Sequence, residues 1–163
     1  MKKTMKQKLT NLAVGELVAV VVFWINFFLF KKLIITTKSL ISISFSLFIL
    51  SFILIQGSIF WCILIKRISK QGFAAKYTGK IYNKLKILDV ILLCIGVPVI
   101  ILNYSTFFTM IVSFAIWIFA VIEWVNYYKL QLSYSLNPVV LLKYILQRKL
   151  RKSKIANEID KSI

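Results

Sequence analysis

Histidine is absent from this chain of 163 residues, and acids are scarce, with five Asp and Glu against 22 Lys and Arg. Its two cysteines, Cys62 and Cys94, lie in separate apolar segments and form no C-x-x-C pair. The lack of histidine and of paired cysteines excludes a zinc site and a disulfide framework. The common hydrolase, zinc-protease and nucleotide-binding motifs are missing as well. We therefore expect no catalytic residue, no metal and no cofactor, and a protein that is not an enzyme.

Apolar sequence is what the chain has in abundance, with 60% hydrophobic residues gathered into a few long runs. A soluble helix carries an apolar stripe on one face, whereas here whole helical turns are apolar on every side. The runs predict transmembrane helices at about 12–30, 40–65, 87–102 and 107–130, because about 20 apolar residues span a bilayer. The predicted fold class is all-α, with a four-span bundle over residues 1–134 and a basic tail over 135–163.

The basic residues predict how the bundle is oriented. Of the 22 Lys and Arg, 19 lie in the N-terminal segment, the second loop and the tail, which four spans place on one side, and three lie opposite. The positive-inside rule assigns the rich side to the cytoplasm of a cell membrane, with both termini inside. The second loop, from Lys66 to Lys86, is predicted to be irregular or partly helical. A net charge of +17 also suits nucleic acid, but the chain offers no soluble module to read a groove.

The tail contains a pattern typical of an amphipathic helix. Asn137 and Pro138 form a good N-cap and first-turn pair, and apolar residues then recur every three or four positions. Basic residues occupy the other faces: Lys143, Arg148, Arg151 and Lys152. We predict that this helix lies on the inner leaflet and contacts anionic lipid headgroups. The alternative is a solvated helix that docks on a partner.

Three acids, Glu16, Asp89 and Glu123, lie inside the predicted spans. Because successive spans alternate in direction, all three are expected at a similar depth near the cytoplasmic face. Intramembrane acids are costly and are by default candidates for function. They predict an ion or proton site. The alternative is that each acid pairs with a nearby lysine or reaches interfacial water.

Small residues mark one side of the second span. They are Ser44, Ser51, Ser58 and Cys62. Small side chains at such spacing let helices approach closely, so they predict a packing face within the chain or between copies. A pore lining, to which Gln56 would contribute, is the alternative.

The segment from Glu123 to Tyr134, EWVNYYKLQLSY, resembles a pattern in small uncharacterised membrane proteins of low-GC Gram-positive bacteria, and the tail from Arg148 to Asp160 resembles their basic ending. This resemblance implies no activity. Four spans with an acid in the first are also similar to the small multidrug resistance exporters. There a membrane-embedded Glu binds cation and proton in turn, a role that would fall to Glu16. Those proteins are shorter and lack the long basic loop and tail.

Two functions remain open from sequence. The first is a non-enzymatic accessory or scaffold subunit, which acts on a membrane-protein partner through helix packing and a basic cytoplasmic surface. The second is a small transporter or channel that works as a homo-oligomer, in which Glu16, Asp89 and Glu123 handle a cation or protons.

Overall fold

The computed structural model of the chain describes residues 2–31, 36–69, 75–130 and 152–160, and these segments are almost entirely helical. The helices, in chain order, are α1 (Lys2–Phe30), α2 (Thr37–Ser69), α3 (Ala75–Leu102), α4 (Phe107–Tyr128) and α5 (Lys154–Asp160). The first four are long and apolar enough to cross a membrane. The predicted all-α fold with four spans is thereby confirmed.

Three helices extend further than the apolar runs that predicted them. α1 begins at Lys2 rather than near residue 12, and α3 begins at Ala75 rather than near residue 87. α2 continues to Ser69, so the described parts of the segment from Lys66 to Lys86 are helical rather than irregular. Hydropathy detects only the part of a helix that lies in hydrocarbon, whereas lysine-rich turns are good helix formers and continue it into water.

Helix α2 is the centre of the bundle, because α1, α3 and α4 all pack against it. Its 33 residues make it about 50 Å long at 1.5 Å per residue, against a hydrocarbon thickness of about 30 Å. Ile49, Ile53 and Phe60 of α2 are fully buried. α1 packs chiefly on α2 and has few contacts with α4, so a groove separates α1 from α4.

The half of the α2–α4 interface next to the α3–α4 turn, here called the hydroxyl half, is joined by small hydroxyl side chains. Ser42 Oγ donates to Ser113 Oγ at 2.8 Å, and Ser39 Oγ donates to Thr109 Oγ1 at 3.3 Å. Thr106 caps the N-terminus of α4 by accepting from the Thr109 amide. Because these side chains are short, the two helices approach closely while every hydroxyl is satisfied.

The opposite end of the bundle, here called the α5 end, is where the chain returns from the tail. Ser153 caps α5 by accepting from the Ala156 amide at 3.0 Å. Ile155 and Ile159 are buried in the same apolar core as α2, α3 and α4. α5 is thus a docked part of the bundle.

Candidate functional site

The groove between α1 and α4 encloses a cavity of about 450 Å³. Its lining is apolar apart from two carboxylates, one amide and one phenol: Leu12, Gly15, Glu16, Ala19, Phe23, Leu54, Phe119, Ile122, Glu123, Asn126 and Tyr127. Leu12 and Ile122 on its rim are exposed, so the cavity opens sideways toward the surroundings of the bundle. A site of this size and composition suits a small ligand with an apolar body.

Glu16 projects from α1 to the base of this groove. Its Oε1 accepts from the indole of Trp61 at 2.7 Å, while its Oε2 is buried without a hydrogen-bond partner. Gly57 of α2 makes room here, since a Cβ at that position would lie 2.5 Å from Tyr127 Cζ and 2.7 Å from Glu16 Oε2. The glycine therefore lets a phenol and a carboxylate meet on the surface of α2.

Glu123 faces the same cavity from α4. Its Oε2 accepts from Asn126 Nδ2 at 3.3 Å, one turn further along the helix. Among the residues that the structure describes, neither Glu16 nor Glu123 forms a salt bridge. Two carboxylates that share an apolar cavity and form no salt bridge in the described chain are stabilised by binding a cation or protons.

Asp89 lies on the other side of α2 and does not line the groove. It is fully buried, and its Oδ1 accepts from Gln56 Nε2 at 2.7 Å. Gln56 Oε1 accepts from the Tyr128 hydroxyl at 2.6 Å, and the Gln56 carbonyl accepts from the Tyr82 hydroxyl at 2.7 Å. Asp89 Oδ2 has no hydrogen-bond partner. The three predicted acids therefore form two sites, a pair in the groove and a single carboxyl in a buried polar network.

The four small residues of α2 also divide. Ser51 Oγ accepts from the Trp24 indole at 2.9 Å and Ser58 Oγ donates to the Ala13 carbonyl at 2.9 Å, so both face α1. Ser44 donates to the Ile41 carbonyl of its own helix, and Cys62 is exposed. The second and third positions thus make interhelical hydrogen bonds within the chain.

Most of the predicted lipid-contacting residues, namely Lys143, Arg148 and Arg151, lie outside the described residues. Lys152 is described and exposed. Its Nζ forms an ion pair with Asp160, and its backbone makes an isolated antiparallel bridge with Leu130. The structure therefore gives Lys152 an intramolecular partner.

Sequence reasoning missed Trp61 and Lys154 as parts of the site. A second cavity of about 60 Å³ adjoins the groove, and its lining includes Trp61, Lys154, Tyr127 and Glu16. Lys154 Nζ lies 5.4 Å from the centroid of the Trp61 ring, within the range of a cation–π contact. The available signal was Ser153 followed by Ile155, Ala156 and Ile159, which is a capped helix with an apolar face.

Comparison with protein-family models, curated proteins and solved structures finds no match. The function must therefore be inferred from the fold and the site. Four apolar helices, three of which pack around the central α2, define the chain as a multi-pass membrane protein.

Proposed function

We propose that this chain is a small carrier of amphipathic cations, which binds its ligand in the α1–α4 groove through Glu16 and Glu123. The observation that supports this most directly is the pair of carboxylates in one apolar cavity, without a salt bridge in the described chain and with one Glu16 oxygen buried and unpartnered. An organic cation would place its positive charge beside the two carboxylates, and its apolar body would contact the apolar walls of the cavity.

The same site accounts for release of the ligand. Carboxylates in an apolar cavity are costly when charged and empty, so protons replace the cation when it leaves. Each carboxylate that gives up the cation takes up at most one proton, and exchange of cation for proton follows. In the orientation we propose, from the distribution of basic residues, the α5 end lies in the cytoplasm of a cell membrane.

Binding of a radiolabelled tetraphenylphosphonium ion to purified protein in detergent tests this proposal. We expect Glu16→Gln and Glu123→Gln each to weaken binding about tenfold or more, equivalent to about 1.4 kcal/mol, because each removes a charge that faces the ligand. The matched control is Asp89→Asn, which removes a buried acid outside the groove and keeps the acceptor for Gln56. Equal losses in all three variants, or no binding by the native protein, would refute the carrier.

A second candidate is the accessory subunit, because α1 leaves most of its apolar surface exposed: Leu17, Val18, Val21 and Ile25 are about half exposed. In that case a transmembrane helix of another protein, or of a second copy, would lie along α1 and the groove. Native mass spectrometry from mild detergent separates the two functions. A bound second protein together with cation affinity that Glu16→Gln leaves unchanged would favour the subunit.

A further inference from the structure

The short helix α5 lines a second cavity that adjoins the groove at Glu16. Ser153, Lys154 and Ile155 form one wall of the second cavity, and Leu12, Glu16, Asn126 and Tyr127 line both this cavity and the groove. Water that approaches Glu16 along the bundle axis from the α5 end therefore meets α5 first. The groove reaches the bilayer sideways, so α5 governs only the aqueous route.

Polar contacts and apolar burial hold α5 against the bundle. Ser153 Oγ donates to the Tyr127 carbonyl, and the Ser153 amide donates to the Lys129 carbonyl at 3.2 Å. Glu158 pairs with Arg67 of α2 at 2.8 Å, and the side chains of this pair are only 15–20% exposed. Since Arg67 also donates to Thr78 of α3 at 2.8 Å, the ion pair ties α5 to both helices.

The first residue of α5 places an ammonium group over the indole that donates to the carboxylate, in a cavity that both residues line. Lys154 Nζ lies over the Trp61 ring, and the edge of the same indole donates to Glu16 Oε1. One tryptophan thus presents its face to a cation and its N–H to an acid. An aromatic face next to a carboxylate is the arrangement that recognises alkylammonium ligands.

We propose that the segment Ser153–Asp160 is a plug, in which Lys154 fills an ammonium subsite formed by Trp61 and Glu16 and so competes with the ligand. This inference rests on the proposed function and narrows its ligand class to alkylammonium compounds with an apolar body. The plug detaches when the Arg67–Glu158 pair breaks and Ile155 and Ile159 leave the apolar core. Release opens the aqueous route to Glu16.

Thiol labelling tests the plug without any ligand. Gly15 lines the groove, and a Cβ there meets nothing within 4 Å, so Gly15→Cys is a suitable reporter in a background with Cys62→Ala and Cys94→Ala. A membrane-impermeant cationic thiosulfonate is applied to vesicles whose α5 end faces the medium. We expect Glu158→Arg to speed the labelling of residue 15 about fivefold or more, because two positive charges then face each other where the Arg67–Glu158 pair, here called the latch, was.

Asn157→Arg is the control, since Asn157 is exposed and the variant also places an arginine on α5, one residue away from the latch. It is expected to label within about twofold of the parent, as a rim charge changes little. Equal labelling rates in the parent and in Glu158→Arg would overturn the plug. The failure of cation binding in the native protein would refute the proposed function but leave this measurement intact.

An engineered disulfide provides a second test of the plug if the Glu158→Arg variant does not fold. Leu130 and Lys152 form an antiparallel bridge, and such partners have Cα atoms about 4.5–5.5 Å apart, within the range of a disulfide. In the cysteine-free background, Leu130→Cys with Lys152→Cys should lose affinity for benzyltrimethylammonium about tenfold when oxidised, and recover it on reduction. Affinity that is the same in both redox states would overturn the plug.

The subsite itself is tested by Lys154→Gln, which removes the ammonium group and keeps a polar side chain one atom shorter. Affinity for benzyltrimethylammonium should rise about threefold to tenfold, since the ligand no longer competes with a tethered cation. Lys129→Gln is the control, because Lys129 also lies over an indole, that of Trp124, but does not line either cavity. An equal rise in both variants would show a general charge effect and refute the subsite.

Discussion

The two halves of the α2–α4 interface contain different polar groups. In the hydroxyl half, Ser39, Ser42, Thr109 and Ser113 bond to one another across the helices. In the half toward the α5 end, Gln56 and the adjacent glycine meet two tyrosines, with a carboxyl on either side of α2. In the described chain, the three buried side-chain polar atoms without a partner are Oε2 of Glu16, Oδ2 of Asp89 and Nε1 of Trp124, all in this second half.

The first half holds helices together, whereas the second contains buried polar atoms without hydrogen-bond partners. Satisfied hydroxyls between closely packed helices contribute to cohesion and leave nothing to bind. Buried polar atoms without partners cost free energy, and a ligand or proton recovers part of that cost. Changes in the hydroxyl half should therefore alter stability alone, whereas changes near the α5 end should alter ligand binding as well.

The largest effect is expected for Gln56→Leu. It removes both side-chain hydrogen bonds of Gln56, including the donor to Oδ1 of the fully buried Asp89, at a cost of about 3 kcal/mol in the free energy of unfolding. Thermal unfolding in detergent measures this cost. The double variant Gln56→Leu with Asp89→Leu should recover most of the loss, because no stranded carboxyl remains. A double variant less stable than the single one would contradict the network.

Gly57→Ala should come next, and it should affect the ligand more than the fold. The added methyl group would lie within 2.7 Å of Tyr127 and Glu16, so both side chains must move, at about 1–3 kcal/mol of stability. Binding of tetraphenylphosphonium should fall about tenfold. Gly15→Ala is the matched control, since its Cβ meets open space. Binding that is unchanged in Gly57→Ala would show that Glu16 does not need its present position.

A smaller effect is expected in the hydroxyl half. Ser42→Ala and Ser113→Ala each break one buried interhelical hydrogen bond, and a double-mutant cycle should give a coupling of about 0.6 kcal/mol. Affinity for the cation should stay the same in all three variants. A change in cation affinity comparable with that of Gly57→Ala would abolish the distinction between the two halves.

The smallest effect belongs to the pair Lys152–Asp160, whose side chains are about half exposed. Asp160→Asn should change the free energy of unfolding by about 0–1 kcal/mol, because an exposed ion pair is screened by water and salt. Glu158→Gln should cost more, since its pair with Arg67 is more buried. Chemical unfolding of both variants at low and high salt compares them. Equal costs would show that burial does not strengthen the latch.

The spans were predictable because long apolar runs need no knowledge of the fold to be recognised. The arrangement of the acids was only half predictable. Alternating direction placed Glu16, Asp89 and Glu123 at one depth, but helices that are apolar on every side carry no signal for which face meets which neighbour. Contacts with α2 decide that Glu16 and Glu123 share a cavity while Asp89 bonds to Gln56.

The seat of α5 could not be predicted for a different reason. A basic tail was expected to lie on lipid, and the residues that carried this expectation, apart from Lys152, lie outside the described residues. The apolar face of Ile155 and Ile159 was visible in the sequence, but its partner surface exists only once α2, α3 and α4 are packed. Short amphipathic segments reveal that they bury a face and not where they bury it.

Because α2 is longer than the hydrocarbon is thick, the Arg67–Glu158 latch stands apart from the acids. Arg67 lies 11 residues beyond Gln56, which is about 16 Å along the axis. Charges further apart than about 10 Å are largely screened from each other in salt solution, so a change of charge at residue 158 acts on the groove only through movement of α5. The pair itself is less sensitive to salt than the half-exposed pair Lys152–Asp160, because its side chains are only 15–20% exposed.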